Sequence, residues 1–246
     1  MSVPVERRLR SECVHLDAVT VRFGRLHVLR QVTVTVHEGE YVCVRGANGG
    51  GKTTLLRVVA GAIRPASGAR RGPARCAYVP PALAPPALTV RAWLRGVRHD
   101  RVDDPWSALD ILSFDGDPDG SCRELSYGNL RKVLLADALT SASPVLAVDE
   151  AHAGLDHSGR TGLERLVTAA RTRGAAVLVA AQDDDAVEGT DRTLLVGGGD
   201  VSDVAAGDRG VDGTVVHTLR GPRSAEAALL EAAERHGFRA VDRDDR

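Results

Sequence analysis

Lysine is almost missing from this sequence: of 32 basic residues only Lys52 and Lys132 are lysine. Aromatic residues are scarce too, at 3%. No apolar run approaches the ~20 residues a membrane-spanning helix needs, which excludes direct insertion into a bilayer. Met1 to Arg8 carries no apolar segment of the secretory type, so a cytoplasmic location is expected. Cys13, Cys43, Cys76 and Cys122 stand far apart with no Cys-x-x-Cys pair. That argues against a disulfide framework or a zinc site and leaves reduced thiols. With a net charge of −1 there is no electrostatic case for nucleic acid or anionic lipid as partner. Internal repeats are absent.

What is present concentrates around one of the two lysines. Tyr41 to Arg45 reads as a short apolar strand, and Gly46-Ala47-Asn48-Gly49-Gly50-Gly51-Lys52-Thr53-Thr54 follows, leading into a helical pattern. The spacing G-x-x-x-x-G-K-[ST] between a strand and a helix is that of the P-loop. Its glycines let the backbone close around phosphate oxygens, and the helix N-terminus adds free N–H groups and a favourable dipole. Lys52 is placed to reach the β- and γ-phosphates, and the Thr53 hydroxyl to hold Mg²⁺. Binding of a nucleoside triphosphate follows.

Along the chain, Val14–Phe23 and Val28–Val36 read as strands of a β-subdomain beside the nucleotide, separated by a Gly24-Arg25 turn. The P-loop helix is expected over about 52–62, with Arg64-Pro65-Ala66-Ser67-Gly68 as a turn-rich exit. Cys76–Val79 is a strand entering a polyproline-like loop with two Pro-Pro pairs, 80–81 and 85–86. Thr89 is the expected cap of a helix through Val97, whose arginines (91, 95, 98, 101) read as a solvated face. A second short helix is expected at about Trp106–Leu112. The acidic turn at 115–120 carries Pro118 and lacks the terminal Glu of a calcium loop. Ser126 caps an amphipathic helix to about Leu139, a second place where phosphate could bind. Pro144–Val148 is a buried strand ending in Asp149-Glu150, adjacent carboxylates that need a cation or substrate beside them. A helix over about 158–173 and strands at 175–180 and 193–196 complete an α/β alternation with a largely parallel sheet. The polar run from Gly197 to Gly213 reads as a linker, followed by a small βαβ-like appendage.

Three motifs therefore stand in one order: phosphate loop, Leu125-Ser126-Tyr127-Gly128 before a helix, and an apolar strand with Asp149-Glu150. This order resembles the nucleotide-binding subunit of bacterial ATP-binding-cassette (ABC) transporters, over about residues 14–200. The resemblance implies an α/β P-loop NTPase of the ABC type, with a mixed, mainly parallel central sheet, an antiparallel β-subdomain and a small helical subdomain at about 82–140. Residues 1–13 would be an N-terminal extension, and 201–246 the linker and appendage. It implies ATP and Mg²⁺ as ligands. Phe23, which position alone would assign to the core, falls where the family stacks an aromatic on adenine. Gly46 to Thr54 would cradle the phosphates, and Thr53 and Asp149 would hold Mg²⁺. Glu150 would be the general base toward the attacking water. Ser126 and Gly128 would contact the γ-phosphate bound by an opposite cassette, and Gly154-Leu155-Asp156 would couple the two sites.

The sequence departs from the family pattern at four positions. Tyr127 and Asn129 replace a glycine and a glutamine of the signature segment. Pro81 replaces a glutamine that senses Mg²⁺ and water. Gln182 replaces a histidine that contacts the γ-phosphate; its amide still donates, but it carries no charge and relays no proton. Losing one such contact costs ~2–4 kcal/mol of transition-state stabilisation, so hydrolysis is expected to be slow. The reading is an ATP-hydrolysing subunit, peripheral on the inner face of the plasma membrane, that powers a transporter through a separate permease contacted by Pro81 to about Arg98. An exporter is expected from the look of the Leu-Ser-Tyr-Gly segment and the C-terminal module. The partner cassette is a second copy or a different chain. Alternatives are a non-transport ABC protein, or a degenerate cassette whose ATP-driven dimerisation is regulatory. A small-molecule kinase is disfavoured by the signature segment and by Glu150.

Overall fold

Alternating valines build the first two strands, and two backbone irregularities explain why their alternation is only partial. The computed structural model describes residues 10–74, 76–96, 100–181, 189–205 and 219–220. Strand β1 (Glu12–Phe23) pairs antiparallel with β2 (Leu26–His37). Burial in β1 falls on Val14 and Leu16, then slips to Val19 and Val21. The slip coincides with Ala18, whose φ is 46°, and with a register shift against β2, where Gln31 has φ 47°. Such bulges move the apolar set from one phase to the other without losing the buried face.

The exit from the P-loop helix is a strand rather than a simple turn. β4 (Ser67–Arg71) pairs with the free edge of β1, giving the small antiparallel sheet β2-β1-β4. Ser-Gly-Ala-Arg-Arg has no apolar alternation; the strand is set by its partner and by Arg70. That guanidinium donates twice to the Val59 carbonyl (3.0 and 2.7 Å) and once to Pro73 (2.7 Å), satisfying a carbonyl at the end of helix α1 (Lys52–Val59).

The main sheet contains β3 (Tyr41–Arg45), β5 (Ala77–Val79), β6 (Val145–Val148), β7 (Ala176–Ala180), β8 (Arg192–Gly197), β9 (Asp200–Ala205) and β10 (Leu219–Arg220), in the order β10-β9-β8-β3-β7-β6-β5. From β8 to β5 every pairing is parallel; β9 and β10 add antiparallel strands at one edge. The run from Gly197 that reads as linker is thus a strand through Ala205. Gly198 (φ 62°) and Gly199 (φ 94°) form the two-residue turn that lets β9 fold back on β8. Two consecutive positive-φ residues suit the twist of a tight hairpin, a signal that a glycine run read as a boundary conceals. The rest of the expected C-terminal appendage and residues 1–9 lie outside the described residues.

Both faces of the parallel strands are covered, as their apolar runs require. Val42, Val44, Ala147, Leu178 and Ala180 pack with α1 and the small sheet. Tyr41, Cys43, Val148, Val177 and Val179 face the helices. Those are α2 (Val90–Gly96), α3 (Pro105–Ile111), α4 (Tyr127–Leu139) and α5 (His157–Thr172). Side-chain caps open each: Thr89, Asp104, Ser126 and Asp156 accept from backbone N–H groups two to three residues on. Two of the arginines along this stretch, one on α2 and one beyond it, are not merely solvated. Arg91 grips Asp119 (2.6 and 3.0 Å) and stacks over Trp106, while Arg101 is buried against Asp137 (2.6 Å). Asp119 is thereby committed to an arginine.

Candidate functional site

The carboxyl ends of β3, β6 and β7 lie side by side, and the loops leaving them make one cleft. It has a volume of about 430 Å³. The P-loop from Ala47 to Thr54 forms its floor, Asp149 and Glu150 one wall, Ala180 and Ala181 the neighbouring strand end, and Val28 of β2 the other side.

The loop's shape depends on glycine at its first position. Gly46 has φ 146°, and a Cβ there would lie 2.0 Å from the Val196 carbonyl oxygen of β8. At Gly50 a Cβ would come within 2.9 Å of Ala47 O and 3.0 Å of Val196 O. The loop is pressed against the sheet end so that its N–H groups can face the cleft. Lys52 is nearly buried, its ammonium donating to the carbonyls of Gly46 (2.5 Å) and Ala47 (3.2 Å). A cation held by the loop's own carbonyls thus lines the same cleft as two carboxylates.

Asp149 is 1% exposed. Its Oδ2 accepts from Tyr78 Oη at 3.3 Å, and Tyr78 Oη accepts in turn from Arg57 Nε of α1 at 3.2 Å. Burial pushes the Tyr78 phenol up, Arg57 opposing and Asp149 reinforcing the shift, so at neutral pH it remains a donor. Glu150 follows with φ 49°, a left-handed conformation that costs a non-glycine residue roughly 1–3 kcal/mol and that persists where its surroundings impose it. Among the groups that hold this turn is Arg131, 2% exposed on α4. One of its terminal nitrogens bonds the Asp149 and Glu150 carbonyls and the other the Pro80 carbonyl at 2.5 Å. Sequence reasoning missed Arg131 and Tyr78. Their contacts span 18 to 71 positions, and the only signal was a long polar residue inside otherwise apolar helix and strand patterns.

Of the residues singled out from sequence, the cleft unites Ala47, Asn48, Gly49, Gly50, Gly51, Lys52, Thr53, Thr54, Asp149 and Glu150. Gly46 buttresses it. Phe23 ends β1 beside the hairpin turn and is 55% exposed, which rules out the core placement suggested by position alone. Ser126 and Gly128 do not line the cleft; they begin α4, where the Ser126 hydroxyl accepts from Asn129 N at 3.2 Å. Gln182 lies outside the described residues. Thr53 and Asp149 both line the cleft and supply hard oxygen donors, a set that fits Mg²⁺.

A family model described as ABC transporter matches residues 29–153. The zinc import ATP-binding protein ZnuC of Jannaschia sp. (strain CCS1) is 35% identical over 192 residues, covering 75% of this chain and 79% of that protein. The chain belongs to the ABC transporter family. A second ZnuC, from Alkalilimnicola ehrlichii, is 36% identical over 195 residues, 76% of this chain and 75% of the relative. A dimeric ATP-binding cassette solved in a post-hydrolysis state with ADP and Pi superposes with a TM-score of 0.66 at 19% identity, over 76% of this chain and 96% of that one. At that identity the likeness bears on fold alone, and it agrees with the α/β P-loop architecture. The chain is an ATP-binding, ATP-hydrolysing cassette coupled to transport. Among the described residues no helix is long and apolar enough to cross a membrane.

Proposed function

We propose that this cassette is the motor of a transporter whose membrane-crossing part is a separate permease, and that it acts as one of a pair enclosing two ATP molecules. The observation that carries this is the convergence of Lys52, Asp149 and Glu150 on one cleft of about 430 Å³. Thr53 and Asp149 would hold Mg²⁺, which neutralises charge on the phosphates when bound. Lys52 and the loop amides bind the β- and γ-phosphates. Glu150 takes the proton of a water whose oxygen bonds to the γ-phosphorus, while the bond to the bridging oxygen breaks and ADP leaves with the electron pair. Phe23, exposed beside the turn between β1 and β2, would stack on adenine. Ser126 and Gly128 would serve the γ-phosphate of the opposite cassette, and Gln182 would donate to the γ-phosphate of its own.

The cassette would sit on the inner face of the plasma membrane, with the membrane-crossing permease docking on the Pro-rich segment from Pro81 through α2. Both relatives carry names of zinc importers, which supports uptake of a divalent metal rather than the export expected from the signature segment. The cargo is substrate of the permease. The site's weak point favours slow turnover: Pro81 brings no polar side chain, and its carbonyl is already bonded to Tyr127 (2.9 Å).

The test is ATP turnover by the purified chain beside Glu150→Gln, with dimerisation followed by light scattering. Wild type should hydrolyse ATP. Glu150→Gln should lose at least about 100-fold in rate and accumulate an ATP-bound dimer. Equal turnover in both would remove Glu150 from the chemistry.

A further inference from the structure

Pro81 and Tyr127, two of the positions where this chain departs from its family's pattern, touch each other. Tyr127 opens α4 and donates its hydroxyl to the Pro81 carbonyl at 2.9 Å, 46 positions away. Its ring lies on the turn after Glu150: a Cβ at Gly154 would be 2.6 Å from Tyr127 Cδ1. Beside it the helix and that turn meet backbone to backbone, since a Cβ on Gly128 would be 2.6 Å from the Gly154 carbonyl oxygen. One turn further along α4, on the same face, Arg131 bonds the Pro80 carbonyl. The carbonyls of Pro80 and Pro81 are thus both taken by α4, from two consecutive turns.

Proline leaves the loop nothing else to be held by, because neither residue has an N–H or a polar side chain. Tyr127 is half exposed, and its hydroxyl is committed to the Pro81 carbonyl. A surface tyrosine placed only for solubility would leave that hydroxyl in water.

We propose that Tyr127 is a positioning residue, which fastens the first turn of α4 to the Pro81 loop and to the Gly154 turn and so sets where Ser126 and Gly128 point. Arg131 anchors the helix to the strand end that carries Glu150, while Tyr127 fixes the orientation of its tip. In this chain residue 81 has no polar side chain, and the loop is held to α4 there through its backbone carbonyl. The inference rests on the reading that Ser126 and Gly128 serve an opposing cassette.

The test uses Tyr127→Phe, which keeps the ring on Gly154 and removes only the hydroxyl. It is made in the full chain, both alone and together with Glu150→Gln. In the Glu150→Gln background the ATP concentration for half-maximal dimerisation should rise about tenfold, the equivalent of one hydrogen bond. Binding of a fluorescent ATP analogue to the monomer should stay within about twofold, and the thermal midpoint should fall by no more than about 4 °C, as the loss of one hydrogen bond allows. Unchanged dimerisation overturns the proposal. So does a larger fall in midpoint with a matching loss of monomer binding, which would mark a purely structural role. If Glu150→Gln binds ATP without dimerising, the paired reading fails separately. The positioning role of Tyr127, which rests on that reading, then falls with it.

Discussion

The loop after β3 and the first turn of α4 are both expected at phosphate, yet they are held in place by different means. In the loop the determinants are small and local. Gly46 and Gly50 allow backbone to lie against the Val196 carbonyl, and Lys52 folds back on carbonyls five and six positions earlier. In the α4 turn they are large and distant. Tyr127 reaches Pro81, and Arg131 reaches Pro80, Asp149 and Glu150. The first region is fixed by what is missing from the side chains and the second by what long side chains can span. A steric seat admits one backbone path. A set of hydrogen bonds can be loosened one member at a time, which suits a region proposed to meet an opposite cassette.

The sharpest way to test the steric half is Gly46→Ala. The new methyl would meet a carbonyl oxygen at 2.0 Å, at a φ of 146° that alanine avoids. The loop must leave the sheet end or the sheet end must open. Binding of a fluorescent ATP analogue should fall below detection, and stability should drop by about 3 kcal/mol or more. Near-normal affinity would show a loop that adapts, and the contrast with α4 would collapse. Arg131→Lys tests the other half and should cost less. A single ammonium cannot reach carbonyls on two strand ends, so one or two buried acceptors lose their donor at ~1–3 kcal/mol each. Urea unfolding should show that loss. ATP affinity should stay within about threefold, because Arg131 does not line the cleft, whereas turnover should fall as the Glu150 backbone relaxes. Affinity falling in step with turnover would mean that the two halves are not separable.

The same contrast decided what was legible beforehand. The P-loop, Asp149-Glu150 and the Ser126 cap are contiguous in sequence, and their chemistry follows from residue type and spacing. The parallel sheet was legible too, because strands buried on both faces read as apolar runs. Hidden were features created by pairing across distance. β4 carries no apolar alternation and owes its existence to the β1 edge. β9 follows a glycine pair that reads as a boundary until both φ values are seen to be positive. Tyr127 appeared as a mild replacement in a motif, whereas its hydroxyl and ring tie three segments together. Phe23 shows the reverse case. Its exposure could not be judged from rarity, and only the resemblance pointed away from the core.

One contact joins the two halves, and breaking it should have the smallest effect. Tyr78 of β5 takes a hydrogen bond from Arg57 on the P-loop helix and gives one to Asp149, so its hydroxyl orients the carboxylate from the side of α1. Tyr78→Phe keeps the ring and its packing and removes both bonds. Asp149 keeps its buried place in the cleft wall but loses that hydroxyl partner. Since outer partners of a metal-binding carboxylate are commonly worth 10- to 100-fold in metal affinity, and this bond is long, a shift near ~10-fold in the Mg²⁺ concentration supporting half-maximal turnover is expected. Saturating Mg²⁺ should restore kcat, and ATP binding without Mg²⁺ should not change. The shift should be the same across the neutral range, because burial holds the phenol in its protonated, donating form there. A loss of kcat that Mg²⁺ cannot repair would place Tyr78 with Arg131, as a support of the Glu150 backbone, and would move the border between the two halves from β5 to α1.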